Sequence, residues 1–139
     1  MRRFPGPLLS VLALIAAIQG LGLVGYAIYD IVQGIRIGIT GPAEVSNLPA
    51  LILQIVIFAA LGAAMLAIAL GWWRAKYGAR APFIVGQLLA LVVGVPLTQA
   101  PEAWTQYVGG ALVVVGVIGV VVAFLPPVTR ALLSDDYQL

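Results

Sequence analysis

The chain has 139 residues, of which 63% are apolar and 9% charged, with seven basic and five acidic side chains. A soluble domain carries roughly a quarter charged residues, so this composition and the mean hydropathy of +1.12 point to a bilayer as solvent. Cys and His are both absent, which excludes disulfides, Cys/His zinc sites, His-ligated haem and Ser-His or Cys-His catalysis. A net charge of +2 is too small for the basic footprint of a nucleic-acid binder.

Four stretches lack Asp, Glu, Lys and Arg: residues 7–29, 48–71, 82–100 and 103–125. Each meets the need for about 20 apolar residues to cross a hydrocarbon core. The expectation is an all-α, four-helix transmembrane bundle forming a single membrane domain. The first stretch exceeds the roughly 7–15 apolar residues of a signal peptide and is read as a retained helix. Residues 30–47 are expected as an outer loop that continues the first helix for a turn or two. Residues 126–139 are expected as a tail, with Pro126 and Pro127 ending the last helix.

In the first helix Ala16 and Gly20 form a short small-residue ridge, and Gln19 is an intramembrane amide. The second carries Ala59, Ala63, Ala67 and Gly71 at strict four-residue spacing, and the third Gly86, Ala90, Gly94 and Thr98. The fourth carries Gly109, Leu112, Gly116, Gly119 and Ala123 at heptad-like spacing. Small residues let helix backbones approach closely in lipid, so these positions are read as packing faces. Gln54 and Gln87 are the other amides inside spans. Depth arithmetic, with the first helix ending at Tyr29, puts Gln19 and Gln54 within about 6 Å of one level, near enough for a hydrogen bond. Gln87 lies too far from both to join them.

Basic residues set orientation through the positive-inside rule. Arg2, Arg3, Arg74, Lys76, Arg80 and Arg130 fall on one side of a four-span chain, and Arg36 alone on the other. Both termini are therefore expected in the cytoplasm. Trp72, Trp73, Tyr77, Tyr26, Tyr29, Trp104 and Tyr107 stand near helix ends, as interfacial aromatic belts require. Trp72, Trp73, Arg74, Lys76 and Arg80 together make an interfacial basic and aromatic rim suited to anionic headgroups.

Asp30, Glu44 and Glu102 are placed at or beyond the outer boundary, so no span holds a carboxylate that could relay protons. Ser10 has no general base near it. The sequence assigns no catalytic residue, no cofactor and no metal. The reading it supports is a non-enzymatic accessory or assembly subunit whose partners are membrane lipids and other membrane-protein subunits or further copies of itself. A small channel, pore-forming or transporter-like bundle is the alternative.

The runs Gly71-Trp72-Trp73-Arg74, Ala79-Arg80-Ala81-Pro82, Gln87-Leu88-Leu89-Ala90-Leu91 and Val128-Thr129-Arg130-Ala131-Leu132 carry a resemblance. The chain resembles a family of small four-span integral membrane proteins common in actinobacteria, whose role is uncharacterised. That resemblance implies a bacterial plasma membrane and supplies no mechanism.

Overall fold

The computed structural model describes residues 6–36, 38 and 48–136. The described residues are all-α: α1 (Pro7–Arg36), α2 (Leu48–Trp73), a 3-10 turn (Tyr77–Ala79), α3 (Arg80–Leu97), α4 (Ala103–Ala123) and α5 (Pro126–Asp136). Four helical segments are long and apolar enough to cross a membrane, the third running from Tyr77 to Leu97. The helical state suits the solvent, because in hydrocarbon each backbone N–H and C=O must find a partner within the protein, and a helix supplies it within its own segment.

With 30 residues, α1 is about 45 Å long against a core of about 30 Å, so the helix continues two turns into residues 30–36. A single charge does not stop a helix once it has passed the apolar slab. Gly38, two residues past the end, has φ +79°, a conformation that glycine adopts without a Cβ clash. Residues 37 and 39–47, with Gly41, Pro42 and Glu44, and the N-terminal Arg2 and Arg3 lie outside the described residues.

One element differs from expectation, α5. The Pro126–Pro127 pair follows the end of α4 and also opens a new helix, since a first-turn proline loses no hydrogen bond. Val128 and Leu132 are buried, one helical turn apart, while Arg130 and Leu133 face outward. The expected tail is thus largely a short amphipathic helix.

α2 ends in a Schellman motif. The N–H of Lys76 bonds the carbonyl of Gly71 at 2.9 Å and that of Ala75 bonds Trp72 at 3.0 Å. The residue between helix and exit is Ala75 with φ 53°, where glycine is the usual occupant.

The chain divides into two compact units, Ala17–Ala67 and Met1–Ala16 with Ile68–Leu139. In the first, α1 and α2 pair antiparallel. In the second, α3 and α4 pair antiparallel across the short turn 98–102. That turn is fastened by Gln106, whose amide donates to the carbonyl of Ala100 at 2.7 Å.

Candidate functional site

Buried positions on all four long helices follow alternating steps of three and four. On α2 the inward set is Leu51, Ile55, Phe58, Gly62, Met65, Ala69 and Trp72, half-buried at first and buried from Gly62 onward. A 3.5-residue repeat drifts only about 20° per heptad, whereas four-residue steps turn the ridge about 40° each time. The expected ridge therefore leaves the packing face. Ala59, Ala63 and Ala67 are exposed within this chain. Gly71 is half-buried, and a Cβ there would stand 2.8 Å from the Cβ of Ala79.

The same correction applies to α3. Gly94 is buried, Gly86 and Ala90 are half-buried, and Thr98 is exposed; the buried line runs instead through Phe83, Gln87 and Gly94. On α4, Gly109, Gly116, Gly119 and Ala123 are buried and Leu112 is half-buried. On α1, Ala16 and Gly20 are both buried.

Within Ala17–Ala67 the contacts define one register. A Cβ on Gly20 would meet the carbonyl oxygen of Gly62 at 2.9 Å, and one on Gly62 would meet a methyl of Val24 at 2.6 Å. Toward the α1–α2 connection, Tyr26 packs edge-on against Phe58 with ring centroids 5.1 Å apart. One turn further, the Gln54 amide donates from Nε2 to Oδ2 of Asp30 at 2.7 Å. A Cβ on Gly34 would then meet Leu51 at 3.1 Å. Tyr26 and Asp30 are thus an i,i+4 pair on α1 that meets the i,i+4 pair Gln54 and Phe58 on α2.

This register overturns the expected Gln19–Gln54 hydrogen bond. Gln54 lies level with Asp30, eleven residues and about 16 Å along α1 from Gln19. Gln19 and Gln54 come level only if the first helix ends at Tyr29, whereas α1 runs on to Arg36. Asp30, only 9% exposed, therefore stands inside α1. Its legible signal was periodicity: Ala27, Asp30 and Gly34 continue the three-and-four spacing from Gly20. Asp30 sits about 35 Å from the start of α1, so it lies at the margin of an apolar slab about 30 Å thick.

At the opposite end of the helices, Trp72 is fully buried and edge-on to Phe83 at 5.5 Å and 88°. The sequence placed it in the interfacial rim; its i,i+3 relation to Ala69 turns it inward. Its indole Nε1 is buried without a hydrogen-bond partner. Trp73 is half-exposed, and Arg74 and Lys76 are exposed. The Arg80 guanidinium lies 5.0 Å from the centroid of the Phe124 ring, a cation–π distance. Gln87 is fully buried and lies against α4, where a Cβ on Gly119 would stand 3.0 Å from its Cγ. Gly119 makes room for that amide.

Among the described residues no three His, Cys, Asp or Glu side chains gather as a metal site. Comparison with protein-family models, with characterised proteins and with solved structures finds no match.

Proposed function

We propose that this chain is a small non-catalytic integral membrane protein of a bacterial plasma membrane, with both termini cytoplasmic. It acts through its helix faces as an accessory or assembly subunit. The observation that carries this reading is the ridge Ala59, Ala63 and Ala67, which stays exposed on α2 while the chain's own packing uses another face. Small side chains at four-residue spacing suit the close approach of a further helix, from another subunit or a second copy. The six-to-one distribution of basic residues supports the orientation, and the actinobacterial resemblance agrees with the compartment.

The alternative, a channel, pore or transporter-like bundle, is weaker. The single buried carboxylate of the described spans, Asp30, stands near the end of α1 at the margin of the slab, and a proton pathway needs groups that change charge at depth.

The test is purification in mild detergent from native membrane. A stoichiometric partner or homo-oligomer is expected, and Ala63→Leu should dissociate it while leaving the chain folded. A lone monomer whose behaviour Ala63→Leu leaves unchanged would contradict the reading.

A further inference from the structure

Within the described residues of 17–67 no basic side chain stands one turn from Asp30. Among the described residues of 17–67, Asp30 is the single acidic side chain and Arg36 the single basic one. Arg36 is exposed and six residues on, about 120° round the helix and about 9 Å along it. Asp30 nonetheless is nine-tenths buried. An ionised carboxylate in such a place needs a cation or several donors. Gln54 supplies one hydrogen bond, and a carboxylate accepts about four.

The surroundings are suited to one kind of cation. Tyr26, Tyr29, Asp30 and Gln33 fall within an arc of about 100° on α1. The Tyr26 and Tyr29 rings lie 6.1 Å apart with a 33° tilt, and each is about half exposed, at 47% and 55%. Tyr29 is fixed from behind by Gln33, whose amide donates to its hydroxyl at 2.8 Å. Phe58 braces Tyr26 from α2. A carboxylate one turn or less along the helix from two half-exposed tyrosines attracts an ammonium group, by charge at the carboxylate and by cation–π contact at the rings. A metal cation would demand more oxygen ligands than the cluster offers.

We propose that the end of the α1–α2 pair nearest their connection is an ammonium-binding site, with Asp30 as the anion and Tyr26 and Tyr29 as the aromatic walls. Two sources share this chemistry: the headgroup amine of a zwitterionic lipid, which lies at this depth in a bilayer, and a soluble amine. The inference rests on the α1–α2 pair standing in a membrane and is independent of the accessory role. Failure of the partner search would leave it intact.

The test uses the full chain in nanodiscs of phosphatidylglycerol doped with phosphatidylethanolamine or phosphatidylcholine, followed by native mass spectrometry of retained lipid. The zwitterionic lipid should be retained about tenfold over its share of the disc, and Asp30→Asn should bring retention close to parity. Tyr29→Leu, which leaves the Asp30–Gln54 bond in place, should lower retention about threefold and decides the matter where Asp30→Asn fails to fold. A soluble source is indicated if ethylammonium raises Tm in phosphatidylglycerol discs where sodium does not, again only with Asp30 present. Retention at parity in the wild type, with no ammonium-specific rise in Tm, overturns the proposal. So does ammonium selectivity that survives both substitutions.

Discussion

The α1–α2 pair and the α3–α4 pair solve one packing problem in two ways. Along α3 and α4 the contact is glycine from end to end: Gly94 with Gly109 near the turn, then Gly116 against Leu91 and Gly119 against Gln87. Along α1 and α2 the backbones approach at Gly20 and Gly62, and toward the connection side chains take over, as Tyr26–Phe58 and Asp30–Gln54. The connections differ in the same sense. Residues 98–102 make a tight turn that suits helices already close together, while α1 and α2 are joined through 37–47. A pair held by glycine offers lipid only its backs. A pair joined by side chains toward one end carries its polar groups there, as Asp30 and Gln54 show.

Glycine substitutions should break this comparison most strongly. A Cβ on Gly109 would stand 2.7 Å from the Thr98 nitrogen and 2.8 Å from the Gly94 oxygen, both backbone atoms that cannot swing away. Gly109→Ala should cost about 3 kcal/mol, the upper end of ordinary overpacking. Its neighbour Gly110 has nothing within 4 Å of its would-be Cβ, so Gly110→Ala should be neutral or slightly stabilising. Thermal or denaturant unfolding in detergent measures both. Equal losses at 109 and 110 would mean that α3 and α4 do not meet here.

Gly62→Ala should cost less, about 2 kcal/mol, because its backbone clashes, with the Gly20 oxygen and the Val24 nitrogen, stand at 2.9 Å, against 2.7 and 2.8 Å at Gly109. Gly25→Ala, with open space around it, serves as its control. A smaller effect belongs to the polar end. A double-mutant cycle with Asp30→Ala and Gln54→Ala should give a coupling of about 1.5 kcal/mol, the lower end of the range for a hydrogen bond to a charged group. A coupling near zero would make the pair incidental to the helix contact. The smallest change is expected at Ala75, where φ 53° strains an L-residue. Ala75→Gly should stabilise by about 0.5 kcal/mol, since relief of the left-handed strain is partly offset by glycine's greater freedom when unfolded.

What the sequence made legible follows the same physics. Charge-free length located four helices, because the cost of a buried charge is large and local. The α4 face was readable because its small residues fall at heptad spacing, which is the spacing that packing uses. On α2 the alanines gave a more regular pattern than the true face, which mixes Gly62, Met65, Ala69 and Trp72 and so shows no single residue type. Asp30 was hidden by the rule that found the helices: a span ended at the first charge, although α1 runs six residues past it. The fold of 126–136 was hidden by Pro126–Pro127, read as a stop when first-turn proline is equally a start. The site at Asp30 needed the register between two helices, and one sequence read alone contains no pairing information.

That register is the claim on which the remainder depends. The chain has no Cys, so paired cysteines report only on themselves. Oxidative cross-linking should be rapid between Asp30→Cys and Gln54→Cys, and absent between Gln19→Cys and Gln54→Cys, about 16 Å apart along the helix. Cross-linking of the second pair in preference to the first would contradict the register, and with it the placement of Asp30 against α2.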